Sequence, residues 1–365
     1  MKSIFVLFGI NSIAYNVASA FQDSNYLVYT AMPKGANRMF NYSKYFKKVK
    51  RSRFRWDDER FLEDLIHFLE QQDFTQKILT FLTNDQALHF WMQNEKKLSK
   101  YLSIQNKDIG LFYNKHRFFN AIKGQSFSPK TWASGDTKTF PCIVKPAYKD
   151  FKNKFYKNLG AKIKILNKEA DLNLLKDFHF DELIFQEVID FDPGKEFSYW
   201  AYRNPQGEID SFVAQHLNKY PNKTGRVSHT KLIDNTSIKR IGESIMSQLN
   251  YIGIGDIQFV LDKKTNSYKV IEMNPRLWCS HELLLMNGIN LLKKCAADYY
   301  KLETTLLPTK GNGQEWFSSL YSIKHNRPLS YNTEFHSLDS DNLMTKILIW
   351  WYLRVKYLYY SIRRF

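Results

Sequence analysis

The sequence predicts an α/β protein followed by an α+β unit and a C-terminal amphipathic helix. Three observations predict this fold class. Short apolar strands alternate with helical stretches over the first 112 residues, a run of strands separated by turns follows, and an apolar stripe with helical spacing closes the chain. With 365 residues, the chain is long enough for two or three subdomains with a hydrophobic core. Its 28 Phe, 22 Tyr and 8 Trp argue against disorder over most of its length.

The first part, residues 1–112, has the pattern of a small open α/β sheet. Strands are predicted at 3–8, 26–30 and 78–82, and helices at 61–71 and 85–100. The opening superficially resembles a secretory signal, because Lys2 precedes an apolar run. Gly9 and Asn11 interrupt that run, so we interpret it as a first strand that turns into a helix. The three cysteines are far apart and form no CxxC pair, so we expect buried thiols in a reducing cytoplasm: Cys142, Cys279 and Cys295.

The net charge of +17 favours a phosphate-bearing substrate, a nucleic acid or an acidic membrane surface. Between residues 42 and 56, basic side chains alternate with rings: Lys44, Lys47, Lys48, Lys50, Arg51, Arg53 and Arg55 among Tyr42, Tyr45, Phe46, Phe54 and Trp56. A nucleic-acid groove uses this mixture, and so does a solvated basic connection. No known reader motif accompanies the run, so nucleic-acid binding is the weaker alternative.

The second part begins near Tyr113, where the pattern changes. Asn114-Lys115-His116-Arg117 opens a helical stretch, and the strand at 141–146 carries Lys145 near its end. A lysine-rich loop is predicted at 149–164, with Gly160 as its one glycine. Strands at 183–189, 196–202 and 208–217, a helix at 237–249 and a strand pair at 255–261 and 268–273 complete an antiparallel unit. The predicted boundaries are 1–112, 113–190, 191–305 and 306–365.

The last strand pair has the residues for a metal site. Residues two apart on a strand share a face, so Glu272 and Asn274 point the same way, as do Asp256 and Gln258. A hairpin brings Gln258 beside Glu272 and Asn274. Three oxygen donors with one formal charge suit Mg²⁺, which shares the phosphates of a nucleotide. Arg276, two residues further on, can direct a fork of donors at a phosphate oxygen.

Residues 255–260 followed by Val270-Ile271-Glu272-Met273-Asn274-Pro275-Arg276 resemble the metal-binding hairpin of the ATP-grasp superfamily, especially the carbamoyl-phosphate synthetase large subunit and related carboxylate–amine ligases. This resemblance implies a pre-ATP-grasp domain over 1–112, a small ATP-grasp subdomain over 113–190 and a core subdomain over 191–305. It implies ATP with one or two Mg²⁺ ions, or Mn²⁺, held by Gln258, Glu272 and Asn274. Asp256 is a reserve ligand if the register differs by two.

Further matches follow the order of the family. By resemblance, Lys115 and Lys145 contact the phosphates, Glu187 receives the adenine amino group, Val188 and Ile189 frame the base, and Glu196 binds the ribose. The implied reaction joins a carboxylate to an amine through an acyl phosphate, with Arg276 and Lys145 as catalytic residues. The family has a glycine-rich loop where this chain has the lysine-rich one. The lysines can replace some of its contacts in a mobile lid, and a non-catalytic ATP-grasp scaffold is the alternative.

The acceptor is less well defined. Arg226 and His229 lie in a predicted loop at 219–229, which either binds the carboxylate substrate or is simply solvated.

The end of the chain, residues 344–365, combines an apolar stripe at helical spacing with five basic and no acidic residues. The apolar stripe consists of Met344, Leu348, Trp351, Val355, Leu358, Ile362 and Phe365. Its longest uncharged run is too short to cross a bilayer. The helix either docks on the core or contacts a membrane surface, which would place the ligase at the inner membrane face in cell-envelope or surface-polysaccharide synthesis. The sequence leaves a homodimer open.

Overall fold

The fold was obtained as a computed structural model. It describes residues 1–8, 12–22, 24–35, 43–106, 108–132, 136, 138–149, 154–220, 225–303, 306–318 and 343–362. Tyr42 and Phe365, named above, lie outside these ranges, and the side chains of Leu358 and Ile362 are not described.

The N-terminal part is a five-stranded parallel sheet in the order β3-β2-β1-β4-β5. Its strands are β1 Lys2–Leu7, β2 Tyr26–Met32, β3 Lys48–Arg51, β4 Ile78–Leu82 and β5 Leu102–Ser103. Helix α1 (Ser12–Ser19) packs on one face, and α2 (Glu59–Glu70) and α3 (Asp85–Leu98) on the other. The predicted α/β sheet and the strand-then-helix opening are therefore confirmed. The two edge strands were not predicted, since β5 is very short and β3 is mostly charged.

The basic run between residues 42 and 56 does not form a groove of stacking rings over its described part. Tyr45 and Phe46 are buried in the core beside α1. Arg60 covers the Phe54 ring at 4.3 Å. The cations themselves are engaged, since Lys48 donates to Gln72, and Lys50 pairs with Asp64. The run is therefore better described as an edge strand with its connections than as a surface for bases.

The middle of the chain forms a four-stranded antiparallel sheet in the order β6-β9-β7-β8. Two short helices lead into it, α4 (Ile109–Tyr113) and α5 (Lys115–Ala121). Its strands are β6 Thr131–Trp132, β7 Cys142–Pro146, β8 Lys164–Leu166 and β9 Leu183–Glu187. The prediction of one continuous loop over 149–164 was wrong. Helix α6 (Lys154–Leu159) occupies part of it, anchored by the buried Phe155, and Lys164 already belongs to β8.

The third sheet has six strands in the order β14-β13-β10-β11-β12-β15, all antiparallel. They are β10 Glu196–Arg203, β11 Ile209–Tyr220, β12 Arg226–Ile233, β13 Gly253–Asp262, β14 Ser267–Asn274 and β15 Glu315–Phe317. Helix α7 (Thr236–Gln248) packs on one face, and α8 (Glu282–Met286) and α9 (Leu291–Tyr300) lie with the N-terminal sheet on the other. β15 belongs to this sheet although it lies beyond residue 305, the predicted end of the 191–305 subdomain.

Helix α10 (Leu343–Ile362) confirms the predicted C-terminal helix but buries a different face. Ile349 and Leu353 are buried in the core shared by the N-terminal and six-stranded sheets. Three residues of the predicted apolar stripe are exposed: Met344, Trp351 and Val355. The helix is so rich in apolar residues that period alone could not choose its buried face. Among the described residues, we find no helix whose length and hydropathy would let it span a membrane.

The cysteines follow the expectation in two of three cases. Cys142 and Cys295 are buried, and burial raises the pKa of both thiols above the usual range. Cys279 is only half-buried.

Candidate active site

The predicted metal hairpin is formed by β13 and β14. Gln258 lies directly opposite Glu272, and Asp256 lies directly opposite Asn274. Directly opposed residues of an antiparallel pair project from the same face, so all four side chains share one face of the sheet. The register is the one that places Gln258, rather than Asp256, against Glu272.

Asp256 organises the two amides of this hairpin. It is buried, and its Oδ2 accepts hydrogen bonds from Gln258 Nε2 at 3.3 Å and Asn274 Nδ2 at 3.1 Å. Burial raises the pKa of Asp256, while the hydrogen bonds to Ser198, Gln258 and Asn274 oppose that shift. Because both amide nitrogens face this carboxylate, their oxygens are left to other partners. Asn274 Oδ1 accepts a hydrogen bond from Arg276 Nη2 at 3.4 Å and retains a second lone pair.

This donor set fits a hard divalent cation. Glu272 supplies one carboxylate, and Gln258 and Asn274 supply amide oxygens, which are ligands that Mg²⁺ accepts. Within the described ranges, no three His, Cys, Asp or Glu side chains come together as an all-protein metal cage. A cation at this hairpin would therefore complete its shell with water and nucleotide phosphates.

Three cationic side chains line a cavity of about 130 Å³ beside the hairpin. It is lined by Lys115, Lys149 and Arg276, together with the acceptors Asp85, Glu272 and Asn274. Lys115 is held at the start of α5, because the Asn114 side chain caps that helix by accepting from the backbone N–H groups of residues 116 and 117. Burial lowers the pKa of Lys115, and the nearby Glu272 and Asp85 carboxylates counteract this effect.

Lys145 approaches from the four-stranded sheet, as the sequence predicted for a strand-end lysine. Its Nζ donates to the Ile271 carbonyl at 3.2 Å and lies 5.5 Å from the centre of the Phe119 ring. Burial and the neighbouring Lys115 lower the pKa of Lys145 to about 8, against the attraction of Glu272. The two lysines and Glu272 therefore form one electrostatic unit.

Asp85 was not predicted as part of the site. Its Oδ1 accepts from Arg276 Nε at 2.6 Å, and its Oδ2 lies 3.1 Å from Lys149 Nζ. Burial alone would raise the pKa of Asp85, but Arg276 and Lys149 lower it to about 2. No sequence pattern distinguishes Asp85, because an acidic residue in the first turn of a helix is ordinary.

The four-stranded sheet presents an apolar patch beside Lys145. Ile143 and Ile165 lie directly opposite each other, on the face that Lys145 shares, and Ile165 is 49% exposed. Glu187 ends β9, and its Oε1 accepts from the Lys130 backbone N–H at 2.8 Å. It also lines a wide cavity of about 770 Å³ between α5 and β6. The Glu187 carboxylate is thus already engaged by the chain, whereas Val188 and Ile189 follow the strand half-buried.

Glu196, predicted as the ribose-binding acid, forms an ion pair with Lys219 on the neighbouring strand. His216 lies directly opposite Glu196, and its Nε2 is 3.1 Å from Ser198 Oγ. Burial, with a contribution from Lys219, lowers the pKa of His216 to about 3, so its ring is uncharged. None of Ser198, His216 and Lys219 was predicted, since single polar residues on a buried strand carry no motif.

Arg226 and His229 lie elsewhere than predicted. They belong to β12 rather than to a loop, because the backbone at 226–233 pairs with β11. β12 is four strands from β14, which corresponds to roughly 19 Å at the usual strand spacing of about 4.8 Å. His229 is 2.7 Å from a Glu315 oxygen, and its ring stacks on Phe317 at 4.3 Å. The predicted loop is therefore corrected to a strand, and the role of Arg226 and His229 in binding the carboxylate substrate stays a prediction.

Comparisons with known proteins agree with this architecture. Residues 215–299, which contain the hairpin, match the family described as the carbamoyl-phosphate synthase L chain ATP-binding domain. Among curated proteins, no sequence match was found.

Solved structures of similar fold extend the likeness to most of the chain. A biotin carboxylase from Campylobacter jejuni, in a β-γ-ATP complex, superposes with a TM-score of 0.64 at 13% identity, over 86% of this chain and 74% of that one. An N5-carboxyaminoimidazole ribonucleotide synthetase in its ADP complex superposes with a TM-score of 0.62 at 15% identity, over 85% of this chain and 79% of that one. The corresponding Thermotoga maritima enzyme superposes with a TM-score of 0.59 at 18% identity, over 85% of this chain and 78% of that one.

These likenesses define the class of the fold. The parallel N-terminal sheet, the four-stranded sheet and the six-stranded sheet together have the architecture of an ATP-grasp protein, and the resemblance seen in the sequence is confirmed. The matched ATP-binding family covers the part of the chain that holds Gln258, Glu272 and Asn274.

Proposed function

We propose that this protein is an ATP-dependent carboxylate–amine ligase. In the proposed reaction, a substrate carboxylate oxygen attacks the γ-phosphorus of ATP and ADP leaves. The amine nitrogen then attacks the resulting acyl phosphate, releases phosphate and loses a proton. The observation that carries the proposal is the small cavity where Lys115, Lys149 and Arg276 face Glu272 and Asn274.

The charged side chains around this cavity suit phosphoryl transfer, in which catalysis consists mainly of positioning and charge stabilisation. Lys115 and Lys145 hold positive charge beside the hairpin, and Arg276 retains unused N–H groups next to Asn274. A bound magnesium ion would neutralise phosphate charge. Gln258, Glu272 and Asn274 would hold it, because the amide nitrogens are already turned toward Asp256.

The apolar patch of Ile143 and Ile165 is the proposed platform for the nucleotide base. Both lie on the face of the four-stranded sheet that also presents Lys145, so a base on the patch leaves its phosphates near the lysines. Val188 and Ile189 are proposed to frame the base through their backbone. Glu196 is proposed to bind the ribose, which requires Lys219 to share or release its carboxylate.

A screen for ADP release tests the ligase proposal. Carboxylate and amine pairs drawn from amino acids and sugar acids are supplied with Mg²⁺ and ATP, and Mn²⁺ is tried as a replacement. Glu272→Ala should abolish the stimulated ADP release, whereas Glu63→Ala, an exposed change on α2, should leave it intact. Nucleotide binding without stimulation by any pair would favour a non-catalytic ATP-grasp scaffold.

We propose further that α10 brings the enzyme to an anionic membrane surface, where its acceptor would be a cell-envelope or surface-polysaccharide precursor. The exposed side of the helix carries Met344, Ile347, Trp351 and Val355. The segment 344–365 holds five basic and no acidic residues. Aromatic and basic residues together suit the interface of anionic lipids.

Vesicle sedimentation tests this location. The wild type should bind phosphatidylglycerol vesicles and should not bind phosphatidylcholine vesicles. Binding to phosphatidylglycerol vesicles should be lost when Trp351 and Val355 are both replaced by serine, and it should be kept in Glu63→Ala. Equal partitioning of all three proteins would refute the membrane proposal. A dimer that light scattering detects in the wild type and not in the serine variant would assign the exposed face to a second copy instead.

A further inference from the structure

Asp85 connects the N-terminal domain to both sides of the cationic cavity. It begins α3, directly after β4, and lies in a different sheet unit from the residues that it contacts. Arg276 follows the metal hairpin, and Lys149 follows β7 of the four-stranded sheet. One carboxylate therefore ties three parts of the chain together through bonds of 2.6 Å and 3.1 Å.

The two partners of Asp85 differ in how firmly they are held. Arg276 is 18% exposed and has three further anchors: Nη1 donates to the Leu277 carbonyl at 2.9 Å, Nη2 approaches Asn274 Oδ1 at 3.4 Å, and the following backbone N–H of Leu277 donates to the Leu82 carbonyl. Lys149 is 54% exposed, and Asp85 is its ion-pair partner. Of the two cations, Lys149 can leave the carboxylate at lower cost.

A polyanion in the cavity would compete with Asp85 for these cations. Phosphate oxygens and a carboxylate attract the same N–H donors, and only Lys149 has the exposure and the flexible stem to change partners. Arg276 would keep its Nε bond to Asp85 and offer its remaining N–H groups. The Asp85 carboxylate thus has two separable effects. It orients Arg276, and it competes with phosphate oxygens for Lys149.

We propose that Asp85 is a positioning residue that orients Arg276 and a latch that holds Lys149 until nucleotide phosphate displaces it. The proposal rests on the proposed function for its effect on turnover. Without nucleotide, the latch draws the end of β7 toward the N-terminal domain. With nucleotide, Lys149 moves to the phosphates while Arg276 stays oriented.

Lysine reactivity tests the latch without relying on catalysis. The full-length protein, without nucleotide, is treated with an amine-acylating reagent, and the modification of Lys149 is compared by mass spectrometry with that of the exposed Lys157 in the same molecule. Lys149 should react several-fold faster, relative to Lys157, in Asp85→Asn than in wild type. Equal relative reactivity in the two proteins would overturn the latch.

Nucleotide affinity and turnover test the positioning role. Asp85→Asn should bind Mg-ADP roughly fivefold more tightly by calorimetry, because Lys149 no longer has a competing carboxylate. The same variant should lose roughly 10- to 100-fold in kcat, because Arg276 loses its orientation. Asp85→Glu should restore part of kcat. A merely structural role would instead lower affinity, kcat and unfolding stability together.

Two controls separate the possible failures. Asp57→Asn removes an exposed ion pair with Arg55 in the same domain and should change neither affinity nor kcat. In a Lys149→Ala background, Asp85→Asn should no longer tighten nucleotide binding, and a persistent gain would overturn the latch. If the wild type binds Mg-ADP but turns over no substrate pair, only the ligase proposal is contradicted. The reactivity of Lys149 and the affinity for Mg-ADP still test the role of Asp85.

Discussion

Gln258 and Glu272 lie directly opposite each other across β13 and β14, and a register shift next to this pair leaves Ile271 as an extra residue on β14. Such a bulge interrupts the ladder and redirects the backbone of the extra residue. The Ile271 carbonyl accepts a hydrogen bond from Lys145 Nζ at 3.2 Å. One irregularity thus joins the predicted metal hairpin to a lysine of the four-stranded sheet.

The pKa of Lys145 predicts a pH-dependent affinity for nucleotide. Burial and Lys115 lower that pKa to about 8, so the ammonium is charged near neutral pH and loses its proton above about 8. We expect the affinity for Mg-ADP to fall roughly tenfold between about pH 7 and pH 9, which corresponds to the loss of one hydrogen bond to a charged group. Calorimetric titration over this range measures it.

Lys145→Arg is the matched control, since a guanidinium stays protonated throughout this range. Its affinity is expected to be lower than that of wild type at neutral pH but nearly independent of pH. An equally steep decline in Lys145→Arg would assign the titration to another group.

Asp256 predicts a metal effect separate from the ligands. In Asp256→Ala, the amides of Gln258 and Asn274 lose the acceptor that holds their nitrogens, so their oxygens are no longer kept toward the proposed metal position. The half-saturating concentration of Mg²⁺ or Mn²⁺ should rise roughly 10- to 100-fold, as for other partners that orient metal ligands. Electron paramagnetic resonance of Mn²⁺ measures this directly. Unchanged Mn²⁺ binding would show that the amides keep their orientation without Asp256, and Asp190→Ala, at an exposed site, serves as the control.

The hairpin was predictable because its chemistry is local. Period-two spacing on two strands joined by a short turn predicts which side chains share a face. The register, which the sequence left open between Gln258 and Asp256, places Gln258 opposite Glu272. Asp85 could not be found this way, because its partners are 64 and 191 residues away and only the packing of three sheets brings them together. Arg226 was misplaced for a similar reason, since strand pairing with β11 overrides a polar, glycine-containing sequence.

Two buried histidines predict a loss of stability in acid. Burial lowers the pKa of His216 to about 3 and that of His281 to about 4, below the ordinary value of about 6.5. The unfolded chain therefore binds more protons than the folded one between these values, so stability is full above about pH 6.5 and falls as the pH drops below it. At pH 5 each histidine should cost roughly 2 kcal/mol in the free energy of unfolding.

Urea denaturation at pH 7 and pH 5 checks this slope. His216→Gln should be less stable than wild type at pH 7, because the Ser198 contact changes, but should lose less on acidification. If His216→Gln and wild type lose the same free energy between the two pH values, His216 is not responsible for acid sensitivity.

The two faces of α10 predict opposite results for neighbouring residues. Leu353 is 1% exposed within the shared core, so Leu353→Ala should lower the free energy of unfolding by roughly 2–5 kcal/mol through lost burial and a cavity. Trp351, two residues earlier, is 64% exposed, so Trp351→Ala should change it by less than about 0.5 kcal/mol. Urea denaturation of both variants provides the comparison. Docking of the helix through the apolar stripe of the sequence would give the reverse order, because that stripe includes Trp351 and omits Leu353. A large effect of Trp351→Ala with a small effect of Leu353→Ala would mean that the helix docks through the other face, which would remove the exposed surface proposed to meet a membrane.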